Sequence, residues 1–229
     1  FSFTASSGFT SPASLVDLDG DQDLEIIAGV FDGNLYVLHH NGTIMNSSSF
    51  NSSIRGVSIA DIDDNGNLEI IFCTEDGFIH AWNPITELEA PGWPINNGIE
   101  AVSEPIMIDL DNDGDLEVMH VTFNGVLSVT HHDGIAYENF PASFDNNILA
   151  TPLVGDIDND GDYELIIGSL IDLQMVDIGQ QKGNRYSWSA YRSNNHRDGF
   201  FDITMVSIDY DSNHLPTKYV LGRNYPNPF

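Results

Sequence analysis

Residues Asp109–Glu117 read DLDNDGDLE, and the same nine-residue pattern returns as DLDGDQDLE at Asp17–Glu25, DIDDNGNLE at Asp61–Glu69 and DIDNDGDYE at Asp156–Glu164. Acids or their amides stand at positions 1, 3, 5 and 7, Glu always stands at position 9, and Gly fills position 6 in three of the four. A tight turn carrying carboxylates in this phase brings hard oxygen atoms to one point, which is what a hard divalent cation such as calcium requires. Without positive charge from outside, so many acids within nine residues repel one another.

Working outward, the loops start at residues 17, 61, 109 and 156, in steps of 44, 48 and 47 residues. A period in the forties built of short strands predicts a propeller blade. A strand enters each loop (Ala13–Val16, Val57–Ala60, Pro105–Ile108, Pro152–Gly155) and a strongly apolar one leaves it (Leu24–Val30, Leu68–Thr74, Leu116–Thr122, Tyr163–Ser169). The dipeptides Asp32-Gly33, Asp76-Gly77 and Asn124-Gly125 favour two-residue hairpins. Alternating strands follow at Asn34–His39, Phe78–Trp82 and Val126–Thr130, then a polar outer strand after Asn41-Gly42 or Asp133-Gly134. The expected fold class is all-β: a β-propeller of four-stranded blades, four of them visible, at about 9–52, 53–100, 101–147 and 148–201 within a unit spanning 1–201.

The D-x-D-x-D-G-x-x-[DE] loop between the first two strands of a blade of this length resembles the FG-GAP or VCBS-type repeat, the calcium-bearing blade also found in integrin alpha subunits. That resemblance covers about residues 9–201 and implies side-chain ligands at positions 1, 3, 5 and 9, and a carbonyl ligand at position 7. The implied sets are Asp17, Asp19, Asp21, Asp23 and Glu25; Asp61, Asp63, Asn65, Asn67 and Glu69; Asp109, Asp111, Asp113, Asp115 and Glu117; Asp156, Asp158, Asp160, Asp162 and Glu164, for up to four calcium ions. An EF-hand fails a simple test, because its position-12 Glu is here Ala28, Phe72, His120 or Ile167. Loop one has Gln22 at position 6 and its Gly at Gly20, so its backbone is expected to differ. Loop two carries Asn65 and Asn67, so loops three and four are expected to bind calcium most tightly.

Four blades are fewer than the seven usual in that family. Phe1–Ala5 is read either as the outer strand of a blade that precedes this stretch or as a strand that closes a small ring with the last blade. In the fourth blade Ile171-Asp172 replaces the Gly turn, and its outer strand is placed at Tyr186–Tyr191. Residues Trp188–Phe201 resemble the segment that ends such propellers in secreted bacterial proteins. The region 202–229 is read as an extra strand (Ile203–Asp209), a linker (Ser212–Pro216) and, at Tyr219–Phe229 (YVLGRNYPNPF, with Asn224–Phe229 its most distinctive part), the start of a C-terminal sorting domain of the type IX secretion system, which it resembles.

The formal charge is -28, and 19 of the 35 acids lie in the four loops. Four divalent ions would bring the charge to about -20, and a surface of this sign repels nucleic acid. Only Arg55 precedes residue 182, whereas six bases follow from Lys182 onward, so the end of the chain differs chemically from the rest. The single cysteine, Cys73, allows no internal disulfide and lies in an apolar strand as a small buried residue. No apolar run approaches the ~20 residues of a membrane span, so no membrane insertion is expected. The chain, which starts at Phe1 without a leader, is taken as a fragment.

His39-His40 and His131-His132 sit at matching strand ends, but neighbours in a strand point to opposite faces, so neither pair is expected to grip one metal. Trp82, Trp93 and Trp188 are read as packing anchors rather than a sugar platform. There is no G-x-S-x-G elbow, H-E-x-x-H helix, P-loop or dinucleotide fingerprint, and no enzyme is expected. Two functions stay open. The first is a secreted or cell-surface calcium-binding propeller, outside the cell or on a bacterial surface, that binds a protein or glycan without catalysis. The alternative is an accessory or catalytic part of a secreted polysaccharide-degrading enzyme such as a lyase, since propellers of this kind occur there too.

Overall fold

A computed structural model describes residues 1–101 and 103–181 and, beyond them, Gly183, Arg185, Trp188, Ser189, Tyr191, Ser193 and Gly199. The expected strand at 203–209, the linker and the sorting-domain opening lie outside the described residues.

The strands form four antiparallel sheets in chain order. Blade one holds β1 (Ser14–Val16), β2 (Glu25–Gly29), β3 (Asn34–Leu38) and β4 (Ile44–Ser49). Blade two holds β5 (Ile54–Ala60), β6 (Glu69–Thr74), β7 (Phe78–Asn83) and an outer strand split into β8 (Leu88–Glu89) and β9 (Ile95–Asn96), both paired with β7. Blade three holds β10 (Ile106–Ile108), β11 (Glu117–Val121), β12 (Val126–Thr130) and β13 (Ala142–Ser143). Blade four holds β14 (Leu153–Gly155), β15 (Asp162–Gly168) and the nine-residue β16 (Leu173–Gln181). The chain is an all-β propeller of four-stranded blades, with a three-stranded fourth blade among the described residues.

Each acidic loop joins the first two strands of its blade, and register follows the repeat. Val16 pairs with Glu25, Ala60 with Glu69, Ile108 with Glu117 and Gly155 with Glu164. The β-branched and apolar run that leaves each loop lies second in its sheet; in blades two and three it is buried throughout, with a blade on either side, and in blades one and four it is buried on the face that meets the neighbouring blade. Blade-to-blade packing also repeats. The hydroxyl of Ser14 donates to the Val57 carbonyl at 2.7 Å, and that of Ser58, the equivalent residue one blade on, donates to the Pro105 carbonyl at 2.6 Å. Gly29 is required here, since a Cβ would overlap the Ile54 side chain of the next blade. The Trp93 indole reaches from blade two to the His132 carbonyl of blade three at 2.6 Å. Trp82, Trp93 and Trp188 are all buried as packing anchors, and so is Cys73.

The starts of the innermost strands converge. Thr10, Arg55, Glu104 and Leu149, one from each blade, line a common cavity of about 440 Å³ together with Tyr191. The chain after β16 returns to this axis. Trp188 bridges Met107 of β10, and its indole donates to Glu104 at 2.6 Å. The Ser189 carbonyl accepts from Val154 of β14, and the Gly199 carbonyl accepts from Leu15 of β1. Two expectations are corrected by this. Trp188 and Ser189 stand against innermost strands rather than at the outer edge of blade four, because an apolar indole is better covered at the axis than on a rim. Residues Phe1–Ala5 form no strand, although Phe3 packs on Tyr36 of β3.

Candidate functional site

All four acidic loops share one backbone. Position 4 is left-handed in each, at Gly20 (φ 79°), Asp64 (54°), Asn112 (60°) and Asn159 (64°), residue types that tolerate this region. Position 6 is left-handed too, at Gln22 (74°), Gly66 (86°), Gly114 (99°) and Gly161 (103°). Loop one therefore does not differ in path, as its sequence suggested. Gln22 is held in the conformation that Gly supplies elsewhere, with the strain of a side chain there.

The position-9 glutamates close the loops. Glu25, Glu69, Glu117 and Glu164 are at most 4% exposed. Their Oε2 atoms accept from the backbone N–H of position 2: Leu18 at 2.9 Å, Ile62 at 3.3 Å, Leu110 at 2.8 Å and Ile157 at 2.6 Å. Position 1 accepts from the turn itself, Asp17 from Gly20 and Gln22, and Asp61 from Asn65 and Gly66. The side chain at position 5 accepts from the N–H of position 7 in each loop, at Asp21, Asn65, Asp113 and Asp160.

The remaining oxygens converge. Ligand atoms of Asp17, Asp19 and Asp21, of Asp61, Asp63 and Glu69, and of Asp109, Asp111 and Asp113 lie within 4.8 Å of one another. In loop three Asp109 is buried, and its Oδ1, like those of Asp111 and Asp63, is shielded from solvent with no hydrogen-bond donor. Orphaned carboxylate oxygens facing one another are costly unless a cation sits among them, and an all-oxygen set of this size fits a hard divalent ion. The electrostatics agree. Burial, with Asp111, Asp113 and Asp109 adding to it, pushes Glu117 up from 4.5 to about 8. Burial likewise pushes Glu69 up to about 7 and raises Asp61 and Asp109. In loop four a hydrogen bond shared with Asp160 pushes Asp162 up to about 6.

Several partners of the loops escaped the sequence reading. The residue fourteen places after the position-9 Glu stands beside it in the first three blades: His39 Nδ1 lies 3.4 Å from Glu25, His131 Nδ1 lies 3.0 Å from Glu117, and Asn83, whose amide donates to the Leu68 carbonyl at 3.3 Å, helps to hold down the pKa of Glu69. Aligning the repeats by loop exposes that position. The second histidine of each pair reaches position 7 of the same loop, His40 to Asp23 at 3.2 Å and His132 to Asp115 at 3.0 Å. The alternation rule did not separate the pairs, because β3 and β12 end at Leu38 and Thr130 and the chain is already turning. Arg185 comes from far along the chain. Its guanidinium lies 3.5 Å from Asp61 and 3.4 Å from Asp64 and donates to the Gly114 carbonyl at 2.7 Å, joining loops two and three.

A cleft of about 550 Å³ opens beside loop three, between blades three and four. Leu127, Phe140, Phe144 and Leu165 line its apolar part, and Asp111, His131, Glu138 and Asp177 its polar part. Tyr137 joins the lining, its hydroxyl pushed up to about 12 by burial and nearby carboxylates.

No protein-family model matches the chain, and no curated protein does. Solved structures do match. The computationally designed Ika4 protein is 14% identical with a TM-score of 0.55, over 77% of this chain and 94% of that one. BBS1N, solved in complex with ARL6DN, is 13% identical with a TM-score of 0.56, over 80% of this chain and 56% of that one. The V. cholerae biofilm matrix protein Bap1 is 21% identical with a TM-score of 0.52, over 74% of this chain and 27% of that one. The chain thus spans nearly all of Ika4 but only about half of BBS1N and about a quarter of Bap1. At these identities the likeness shows fold alone, and the fold shared with these neighbours is the β-propeller.

Proposed function

We propose that this chain is a calcium-stabilised propeller module that works outside the cell or on a bacterial surface and binds a protein or glycan ligand without catalysing a reaction. One observation carries the reading: four loops share the same double left-handed turn and the same buried Glu staple, and loops one to three bring carboxylates together, with the Oδ1 of buried Asp109 left without a donor. When bound, calcium would supply the positive charge that joins these carboxylates and would stabilise the folded chain by binding it in preference to the unfolded one. Loops weak enough to need roughly 0.1–1 mM calcium belong outside a cell. Asp61 and Asp64 of loop two are already partly neutralised by Arg185, and Asn65 and Asn67 lower its charge, which supports tighter binding by loop three.

The cleft between blades three and four is the ligand site this reading favours. It combines an apolar floor with polar groups and borders a cation loop. No helix among the described residues is long and apolar enough to cross a membrane.

Titration calorimetry with calcium, paired with thermal melts in excess EDTA and in millimolar calcium, tests the cation. Three or four ions with a large rise in melting temperature are expected. No binding and no shift would end the proposal. Incubation with acidic polysaccharides, monitored for new unsaturated ends, tests the alternative: metal-dependent turnover would replace the binding reading with a lyase.

A further inference from the structure

The blades stack head to tail. Along the forward face of blades one to three, the third-strand pairs Leu35 and Val37, Ile79 and Ala81, and Leu127 and Val129 are at most 1% exposed, because the next blade covers them. The register makes Leu173 and Met175 of β16 the equivalent pair in blade four: Leu35 pairs with Gly29 and Val37 with Ile27, as Leu173 pairs with Gly168 and Met175 with Ile166. Leu173 is 73% exposed, Met175 64%, and Leu153 beside them 40%. A face built like three buried interblade faces stands open.

The opposite end of the array is open in a complementary way. The backward face of blade one carries Leu15, Ile26 and Tyr36, all only half-buried, where the equivalent Ile59, Ile70 and His80 of blade two are buried. Blade one covers that face of blade two with Phe50, the residue just past its outer strand β4, whose ring meets His80 edge-on at 4.9 Å and 64°. Phe3 meets Tyr36 in nearly the same way, at 5.0 Å and 67°. The N-terminal residues therefore lie where the end of a preceding blade's outer strand belongs. Blade four, meanwhile, has three strands among the described residues, and the outer edge of β16 is unpaired among them.

We propose that two copies of this chain join head to tail, the forward face of blade four in each packing on the backward face of blade one in the other. Residues 1–5 of each copy add an outer strand to the edge of the partner's β16 that is unpaired among the described residues. The contact continues the interface already repeated between blades one to four. Two such contacts related by a two-fold axis close an eight-bladed ring and leave no open face, whereas one contact alone would propagate. Apolar strand faces of this kind are otherwise an aggregation liability. The proposal rests on the propeller fold and not on the calcium reading, so association is measured both in calcium and in EDTA.

Sedimentation velocity of the full chain across a concentration series is expected to show a discrete dimer of twice the chain mass. The variant Leu173→Asp/Met175→Asp, with its circular dichroism unchanged, is expected to dimerise about a hundredfold more weakly. Phe3→Ala/Tyr36→Ala is expected to weaken association from the other face. Mixing the two variants restores one intact contact, so a heterodimer appears that neither variant forms alone. A wild-type chain that stays monomeric at the highest concentration reached overturns the proposal. So does a Phe3→Ala/Tyr36→Ala variant that dimerises as well as wild type, since that outcome means two forward faces meet each other.

Discussion

Replacing Glu117 by Gln has opposite expected effects with and without calcium. In the folded chain Glu117 is buried, its Oε2 accepts from Leu110, its Oε1 lies beside His131, and burial with three neighbouring aspartates pushes it from 4.5 to about 8. A group raised on folding contributes stability that is fully present below about 4.5 and lost as pH rises through about 8, so at pH 9 the metal-free chain carries a buried charge it disfavours. At about 1.4 kcal/mol per tenfold change in proton affinity the ceiling is roughly 4–5 kcal/mol, and screening at the solvent-facing side of the loop reduces the expectation to about 1–3 kcal/mol. Gln keeps the Leu110 contact through its amide oxygen and sets a neutral amide nitrogen beside His131, where the second carboxylate oxygen stood near Asp111. In EDTA at pH 9, Glu117→Gln is therefore expected to melt above wild type by roughly 3–10 °C, and at pH 5 the two should nearly coincide. In millimolar calcium the order reverses, because the variant has lost an anionic ligand. Calorimetric melts in the three conditions decide it. A variant less stable than wild type in EDTA at pH 9 would refute the electrostatic account of the loop.

The melting temperature of the wild-type chain in EDTA is expected to fall as pH rises from about 4.5 to beyond 8, as Glu69 and Glu117 ionise at about 7 and about 8, and to fall less in Glu117→Gln; melts over that range would show it. Gln22→Gly removes a side chain from a φ of 74° and should stabilise the chain by about 0.5–1 kcal/mol in urea unfolding, whereas a loss would mean that the side chain has a role of its own. Trp188→Ala empties a fully buried site at the axis and removes the donor to Glu104, so a loss of about 3–5 kcal/mol with faster proteolysis is expected, read by urea unfolding and limited digestion.

The blades were legible because a local pattern was repeated four times: a carboxylate loop, an apolar strand and a Gly turn need only their own neighbours in sequence to form. β5, β11 and β14 differ from their expected bounds by only a few residues at the ends. Partners carried by tertiary proximity were hidden. His39 and His131 reach the position-9 Glu because the strand and its return bring residues fourteen apart together, and a rule about strand alternation stopped being valid one residue too early. Arg185 was visible as one of the late bases, yet nothing local ties it to Asp61, 124 residues away. Blade four was misread at its edge because its outer strand was sought among residues whose apolar content, Trp188 above all, is taken up by the axis instead.

That return to the axis sets an order of assembly. Trp188 meets Glu104 across 84 residues, Ser189 meets Val154, and the Gly199 carbonyl takes the Leu15 N–H across most of the chain. Blades one to three have all left the ribosome before the residues that join their innermost strands exist. The centre is therefore the last part to be set, and contacts closed over such long loops fold slowly. A chain cut short before Trp188 would keep every acidic loop, every hairpin and the hydrogen bonds from blade to blade, yet lose the residues that tie the innermost strands together at the axis. Their loss would show first as slack between blades rather than as missing strands.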